Sequence, residues 1–514
     1  MVNSSTPIIV GIGQVCEREP DTDALSSPIE LAATAGQRAC EDAGSSGDIQ
    51  DMIDVVAGVR MFSDMGGPWP ASFGRAENYP RAVAARLGID PEHASYSFGS
   101  GNAPQALVNY WCGQIHQQQA RAVLLVGSEA TANLRNALRS GTTLDWSDNT
   151  AGQLDDYGVG TLHIYNQVEA KHGLIQPIYL YALLENARRG RLNMTQEQYA
   201  QTMAEMFARF SQVAAENPHA MFPRTSSAEQ LIARGKGNPP LAEPYTKGLV
   251  AKDGVNQAAA VVLTSVETAR ELGIPEEKWV YLLGQAETSD RPFTERLDMG
   301  QSDAMALAYT TALQRAGVTA QELDYFDLYS CFPIAVSSAC ECLGISEGDS
   351  RGLTVTGGLP FFGGPGNNYS MHAIAALVEK LRATPASLGL IGANGGWLSK
   401  HSVGIYSTRP PLKPWQQQDN TGLQAQLDER PEVEMDFSPN GSGVVETYTV
   451  TYAKGQPVTG VIIGRMTATG KRFVASTPEG DTDSLMELLS SDPIGRSCEV
   501  IATAEGNRAV FDTD

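Results

Sequence analysis

Hydrophobic residues along the first fifty positions follow two patterns, short apolar runs and a longer helical stretch. Pro7-Ile-Ile-Val-Gly-Ile-Gly13 is apolar and closed by glycine, which is typical of a buried strand. Ser27-Pro28 places a capping residue before a proline and predicts the start of an alanine-rich helix that ends at Ala43-Gly44. Ile53-Asp-Val-Val56 then predicts a second strand.

The same pattern returns late in the chain. Asp303 to Ala316-Gly317 predicts an alanine-rich helix with a glycine stop, and Leu323-Asp-Tyr-Phe326 predicts the strand after it. Two similar halves indicate an internal duplication, and the alternative is two ordinary αβ units that resemble each other. Further buried strands are predicted at 122–127, 258–264 and 388–392.

Two regions depart from this pattern. Between residues 129 and 249 a long helical stretch, 194–214, precedes the loop-like 217–224, so an insertion covering one side of the core is expected. The proline-rich linker Arg409-Pro-Pro-Leu-Lys-Pro-Trp415 leads to predicted strands and one helix that indicate a small β-barrel or sandwich. The strands are predicted at 441–451, 457–463, 472–476 and 498–503, and the helix at 485–489.

Composition narrows the functional classes. The formal charge is −22, from 59 acidic and 37 basic residues, and no Lys/Arg cluster stands out, so nucleic acid is not an expected partner. The N-terminus lacks a signal-peptide pattern, and no apolar run approaches the ~18 residues of a spanning helix, so no membrane association is expected. Seven scattered cysteines without metal-ligand spacing predict a reduced, cytoplasmic protein with no metal site.

Four loop segments rich in glycine and polar residues follow the predicted elements. They are Ser97-Phe98-Gly99-Ser100-Gly101-Asn102, Asp327-Leu-Tyr329-Ser330-Cys331-Phe332, Gly357-Gly-Leu-Pro-Phe-Phe-Gly363-Gly364-Pro365-Gly366 and Gly392-Ala393-Asn394-Gly395-Gly396. In this order, and with the stretch 253–265, they resemble segments of thiolases, so the chain is identified as a member of the thiolase superfamily. The resemblance implies an α/β, duplicated thiolase fold, layered αβαβα, with an inserted loop domain and a C-terminal β-rich, OB-like domain. The expected domains are 1–268, with 129–249 inserted, then 269–408 and 409–514.

The residues that thiolases use for catalysis are replaced. Phe98 stands where the family has its nucleophilic cysteine, and Ser97 and Ser100 are hydroxyls that would need an adjacent base. Gly364 stands where the family has the histidine that activates the nucleophile. Gly392 or Ala393 stands where a second catalytic cysteine is found. The resemblance therefore implies a retained pocket, with Phe98, Ser100, Gly364 and Asn394 as substrate-binding positions, and altered chemistry.

Tyr329 stands where sterol-carrier-type thiolases have a histidine that helps to form an oxyanion hole. A tyrosine donates a hydrogen bond to a thioester or enolate oxygen, or acts as a general acid. Cys331 matches a position that is not the catalytic cysteine, and a packing role is expected for it. His372 and His401 are the candidate bases, with a buried structural histidine as the alternative for His372, and the amide of Asn394 could serve an oxyanion.

The resemblance implies an acyl-CoA ligand, with the coenzyme A thioester as substrate and no permanently bound cofactor. The predicted class is acyltransferase, similar to acetyl-CoA C-acyltransferase, with a non-standard active site. The alternatives are a lyase that cleaves a 3-hydroxyacyl-CoA by a retro-aldol reaction and a catalytically inactive acyl-CoA-binding protein. Residues 441–464 also resemble the added domain of bacterial thiolase-like proteins and the OB-fold partner of steroid side-chain aldolases. A homodimer through the thiolase core is a possible assembly.

Overall fold

The computed structural model describes residues 2–20, 25–44, 49–66, 71–160 and 165–511. Met1 and Asp514, the outer limits of the predicted domains, lie outside these residues. The first half begins with alternating strands and helices, and all nine residues of its strand β4 are buried, as the apolar run at 122–127 predicts. The elements are β1 (Pro7–Cys16), α1 (Pro28–Asp42), β2 (Ile53–Gly58), α2 (Tyr79–Leu87), β3 (His93–Tyr96), α3 (Ala103–His116) and β4 (Ala122–Ala130).

An inserted segment follows β4 and returns to the core at β8. Its longest helix is α7, which begins at a Thr195 capping box and buries one face against the core. The elements are α4 (Thr131–Ser140), β5 (Asp155–Asp156), α5 (Gln167–Lys171), α6 (Pro177–Arg191), α7 (Gln196–Glu216), α8 (Ala228–Ile232), β6 (Pro240–Ala242), β7 (Tyr245–Thr246), β8 (Asn256–Ser265) and α9 (Val266–Glu271).

The second half repeats the topology of the first. Four strands of the first half have the order β2-β4-β8-β1, and their counterparts have the order β10-β11-β12-β9. In each set the first pair is parallel and the next two are antiparallel, so the halves are related by duplication. The elements are β9 (Val280–Ser289), α10 (Asp303–Ala316), β10 (Tyr325–Leu328), α11 (Pro333–Leu343), α12 (Tyr369–Ala383), β11 (Leu388–Gly395) and β12 (Lys400–Ser407).

The elements of the two halves stack in five layers. Helices α3 and α12 contact each other and strands of both halves, so they form the middle layer. Helices α1 and α2 cover the outer face of the first half, and α10 and α11 cover the second. A short β1–β9 pairing at Ile8 and Ile9 joins the two sets of strands. The helix N-terminus of α3 therefore lies at the centre of the molecule, beside loops of the second half.

The C-terminal region forms a small barrel. Its strands pair in a closed ring, β13-β14-β15-β17-β16 and back to β13, which confirms the predicted β-rich region. The inserted segment extends this sheet, because Ala242 of β6 pairs with Thr451 of β13. The elements are α13 (Thr421–Asp428), β13 (Asn440–Ala453), β14 (Gln456–Met466), β15 (Arg472–Ser476), α14 (Thr482–Ser490), β16 (Ser497–Ile501) and β17 (Arg508–Val510).

Buried polar contacts fix the barrel to the rest of the chain. The guanidinium of Arg472, fully buried, donates to the carbonyl oxygens of Thr294 and Arg296 at 2.7 and 2.5 Å and pairs with Glu446 at 2.6 Å. The His172 ring contacts the Ser476 hydroxyl at 2.7 Å. Such contacts require a fixed orientation of the barrel on the core.

Candidate active site

The loop before α3 meets the loops of the second half at Gly101. A Cβ atom built on Gly101 would lie 2.4 Å from the Tyr329 hydroxyl oxygen and 2.6 Å from the Asn394 carbonyl oxygen. A Cβ atom on Gly395 would lie 1.9 Å from the Ser100 hydroxyl oxygen. The structure therefore brings Ser100, Tyr329 and Asn394 together, and the glycines permit an approach that any side chain would prevent.

Tyr329 presents a protonated phenol at this meeting point. Its side chain is buried, its main-chain N–H donates to the Gly392 carbonyl at 3.0 Å, and its ring packs edge-on against Tyr369 at 5.4 Å. Burial raises the pKa of the phenol well above its usual value. At neutral pH the group is a hydrogen-bond donor, as an oxyanion-binding role requires.

A buried carboxylate shapes the third loop segment. Asp327 accepts hydrogen bonds from the hydroxyls of Thr354, Thr356 and Tyr369 at 2.9, 3.0 and 3.0 Å, and from two main-chain N–H groups. Ser330 accepts from the Leu359 N–H at 3.2 Å. These bonds hold the loop 354–366 against the segment that carries Tyr329.

The Asn394 amide, the Cys331 thiol and the Tyr181 hydroxyl form a buried polar group. The Asn394 amide nitrogen lies 3.3 Å from the Tyr181 hydroxyl and 3.8 Å from the Cys331 sulfur. Burial raises the pKa of the Cys331 thiol to about 12, so the group is a thiol and not a thiolate near neutral pH. Tyr181 comes from α6 of the inserted segment, where no family motif marked it, and sequence reasoning missed it.

Three buried polar atoms of these loops have no hydrogen-bond partner among the described residues: the hydroxyl of Ser100 and the side-chain oxygens of Asn102 and Asn394. Asn102 uses its amide nitrogen to donate to the Ser402 hydroxyl at 3.0 Å. Because buried polar groups are nearly always paired, these three atoms are available for a hydrogen bond with water or with a polar ligand.

A basic pocket of about 540 Å³ lies beside the third loop segment. Three cations line it, Arg224, Lys247 and Lys252, and no carboxylate belongs to its lining. The Lys252 main chain is bonded to this segment through its N–H to the Leu359 carbonyl and its carbonyl to the Gly364 N–H. Such a concentration of positive charge in a chain of net charge −22 favours an anionic ligand.

Lys252 forms the inner wall of this basic pocket. Its ammonium donates to the Pro360 carbonyl at 2.7 Å and lies over the rings of Phe222 and Phe361 at 5.5 and 5.3 Å. Burial and the neighbouring charges of Arg224 and Lys247 lower its pKa to about 8. No motif in the sequence distinguished these three cations from other surface lysines and arginines.

The two predicted bases lie in structural surroundings. The buried His372 ring on α12 contacts the Gln14 side chain at 2.9 Å, and burial lowers its pKa to about 3, which makes it a poor base near neutral pH. His401 lies opposite Asn394 in the β11–β12 register, and its ring contacts Ser302 at 3.1 Å and Asp290 at 3.7 Å. Burial lowers the pKa of His401 as well.

Phe98 and Gly364 each lie next to a lysine. The Lys400 ammonium sits 5.6 Å from the centre of the Phe98 ring. Gly364 packs against the main chain of Lys252, at 3.3 Å from where its Cβ would be.

Within the described ranges, no group of three or more His, Cys, Asp or Glu side chains has an arrangement that could hold a metal ion. No helix among them has the length and apolar content to cross a membrane.

Comparisons with known proteins agree with this architecture. A monomeric SCP2-thiolase-like protein type 1 from Mycobacterium smegmatis is 41% identical, and its solved structure covers 100% of both chains with a TM-score of 0.86. Residues 422–505 match the family described as the thiolase-like protein type 1 additional C-terminal domain. The resemblance to thiolases, the duplicated fold and the added C-terminal domain are thereby confirmed.

More distant matches include a thiolase and an acetyl-CoA acetyltransferase. The dimeric peroxisomal thiolase of Saccharomyces cerevisiae is 16% identical, covers 80% of this chain and 99% of its own, and has a TM-score of 0.56, so it shares the fold. Acetyl-CoA acetyltransferase of Methanothermobacter thermautotrophicus is 27% identical over 256 residues, 46% of this chain and 62% of that enzyme. The chain thus spans less than two thirds of the length of this relative.

Proposed function

The chain belongs to the SCP2-thiolase-like proteins of type 1, and from this premise we propose that it binds an acyl-CoA thioester. The coenzyme phosphates occupy the basic pocket, and the thioester lies beside Tyr329. The observation that carries the proposal is the position of the pocket: Lys252 lines it, while the preceding residue, Ala251, donates its N–H to the Cys331 carbonyl at 3.0 Å. A single short segment therefore connects the anion-binding cations to the loop of Tyr329.

Titration calorimetry with CoA and acetyl-CoA tests the proposal. Arg224→Ala and Lys247→Ala should each weaken binding about tenfold or more, because a hydrogen bond to a charged group contributes ~1.5–3 kcal/mol. Lys413→Ala, a change of the same kind in the linker after the second half, serves as the matched control and should bind as the wild type does. Equal affinity in all four proteins, or no binding of any CoA compound, would contradict the proposal.

The chemistry at the site is polarisation of the thioester carbonyl by the Tyr329 phenol. A covalent acyl-enzyme needs a nucleophile, and the Cys331 thiol is protonated near neutral pH. We therefore retain the acyl-CoA ligand of the predicted acyltransferase class. Covalent transfer of the acyl group through Cys331 is disfavoured. Incubation with 3-ketoacyl-CoA and free CoA, followed by analysis of product mass, tests this point. Thiolysis would require an enzyme nucleophile that takes up the acyl group and passes it to the CoA thiol.

Carbon–carbon cleavage is the second candidate function, favoured by the buried, protonated phenol of Tyr329. A retro-aldol reaction on a 3-hydroxyacyl-CoA needs a stabilised enolate and a base, and it needs no nucleophile. Release of an aldehyde or ketone from a 3-hydroxyacyl-CoA would establish a lyase. Tight binding without turnover of either substrate would establish an acyl-CoA-binding protein without catalysis.

For the assembly, a monomer is the better proposal than the predicted homodimer. Strand β3 has its outer edge paired with β5 of the same chain, at Ser95 and Tyr96, so that edge is covered. The Mycobacterium smegmatis relative is described as monomeric. Light scattering should give a mass near 54.9 kDa at all concentrations, and a mass of twice that value would support the homodimer.

A further inference from the structure

Helix α6 has one face in the candidate active site. The hydroxyl of Tyr181 contacts the Asn394 amide at 3.3 Å, and the Tyr181 ring stacks on Phe332 with 4.3 Å between ring centres. One turn later, Glu185 accepts a hydrogen bond from the Ile334 N–H at 2.8 Å. Ile334 lies in the first turn of α11, which directly follows the loop of Tyr329 and Cys331.

Glu185 is held in place by two tyrosines of the inserted segment. The hydroxyls of Tyr199 and Tyr245 each donate to its carboxylate at 2.6 Å. Burial raises the pKa of Glu185 to about 7. Because the carboxylate is fully buried, any displacement of α6 would leave it or the N–H of Ile334 without a partner, at a cost typical of buried polar groups.

The opposite face of α6 lies against the C-terminal barrel. The Thr447 hydroxyl of β13 donates to the Leu183 carbonyl at 2.6 Å, and the Asn186 amide donates to the Tyr448 carbonyl at 3.0 Å. Gly190 lets the barrel approach closely, since a Cβ atom there would lie 3.0 Å from the Ile494 side chain.

An ion pair between a buried guanidinium and a half-exposed carboxylate adds to this contact. The Arg189 side chain is 1% exposed, and its guanidinium donates two hydrogen bonds to the Asp492 carboxylate, at 2.6 and 2.8 Å. Removing one partner of such a pair leaves an unpaired buried charge, which is strongly destabilising. The barrel thus supplies the counter-charge that α6 requires in its observed position.

We propose that the additional C-terminal domain positions the active site through α6. By holding the outer face of this helix, the barrel sets Tyr181 against Asn394 and Glu185 against the first turn of α11. The added domain then acts on the site without touching the ligand, and Tyr181, Glu185 and Arg189 are positioning residues. The inference concerns the geometry of the protein itself, so it does not depend on which ligand the site binds.

Two variants of the full chain, Thr447→Val and Asp492→Asn, test the inference. Hydrogen exchange by mass spectrometry follows the peptide that contains the Ile334 N–H, and iodoacetamide labelling follows Cys331. The exchange rate of the Ile334 peptide is divided by that of a peptide from α3. The labelling rate of Cys331 is divided by that of the buried Cys112, which also lies on α3. Both ratios should rise about tenfold, the factor that corresponds to ~1.4 kcal/mol.

Matched changes separate positioning from general stability. Ser476→Ala removes a barrel contact to His172, which does not lie on α6, and should leave both ratios unchanged. Thr447→Ser keeps the hydroxyl and should restore wild-type ratios. Thr447→Val is nearly isosteric, so it keeps the test available if Asp492→Asn fails to fold. Unchanged ratios in the folded α6-contact variants, or a rise shared equally by α3, would overturn the inference.

Discussion

The hydroxyl of Tyr329 lies so close to Gly101 that a Cβ atom on the glycine would be 2.4 Å from the hydroxyl oxygen. This contact joins the loop directly before the central helix α3 to the second half of the molecule. The lack of a side chain at position 101 therefore allows the phenol to occupy its observed position.

Gly101→Ala should destabilise the protein by about 1–3 kcal/mol, the usual cost of overpacking. The new methyl group would also meet the main-chain oxygen of Asn394 at 2.6 Å, which has little freedom to move. Urea unfolding measures the change. Gly422→Ala, in helix α13 with no atom within 4 Å of the new methyl group, is the control and should be neutral or slightly stabilising. Equal stability of the two variants would refute the contact.

Tyr329→Phe should leave stability within about 1 kcal/mol of the wild type, since the phenol makes no hydrogen bond to any residue the structure describes. It should lower the preference for acetyl-CoA over CoA about three- to tenfold, because a neutral hydrogen bond to the thioester oxygen is lost. Calorimetry with both compounds gives this ratio. Tyr281→Phe, buried at the start of β9 and away from the loop segments, is the control and should keep the wild-type ratio. An unchanged ratio in Tyr329→Phe would remove the phenol from the proposed role.

The affinity for CoA should fall as pH rises through about 8. Lys252, with its pKa lowered to that value, loses its charge in this range, while a phosphate with a second pKa of ~6 is already fully ionised. The dissociation constant should increase by up to about tenfold per pH unit, the limit for one linked proton. Lys252→Arg stays charged and should flatten the dependence between pH 7 and 9.5. A flat wild-type profile would show that Lys252 does not contribute.

Stability should decrease as pH falls below about 6.5. His372 and His172 have folded-state pKa values lowered by burial to about 3 and about 4, so between these values and 6.5 the unfolded chain binds more protons. Each histidine should cost about 2 kcal/mol at pH 5, from 1.36 kcal/mol per pKa unit.

Urea unfolding at pH 7 and pH 5 measures this loss. His372→Gln and His172→Gln should each reduce the difference between the two pH values. His93→Gln, at an exposed position, should leave it unchanged. If the two buried substitutions also left it unchanged, the acid sensitivity would have to come from carboxylates.

The layers of the fold could be predicted from the sequence because their signals are local. The continuous apolar runs at 122–127, 258–264 and 388–392 lie within the buried strands β4, β8 and β11, where both faces are covered. Glycine stops such as Gly317 do adopt the left-handed conformation that ends a helix. In the structure the four loop segments contact one another.

The chemistry within the loops was less accessible, because it depends on the direction of side chains. His401 follows the fourth segment in sequence and lies opposite Asn394, yet its ring contacts Ser302 and Asp290 at the start of α10. Tyr181 lies 148 residues before Tyr329 in the sequence (329 − 181), and Lys252 lies 77 residues before it (329 − 252). No motif connects these positions. A role set by contacts between distant segments leaves no periodic or spacing signal in the chain.

The pairing of β6 with β13 has a consequence for synthesis on the ribosome. One edge of β6 pairs with β7, but on the other edge Ala242 meets Thr451, which is translated 209 residues (451 − 242) later. At a translation rate of ~5–20 residues per second, this edge of β6 has no hydrogen-bond partners for about 10–40 s. Over that period β6 is a free edge on which chaperones or neighbouring chains could act. The first strand of the C-terminal barrel, β13, therefore ends the exposure of a segment from the middle of the chain.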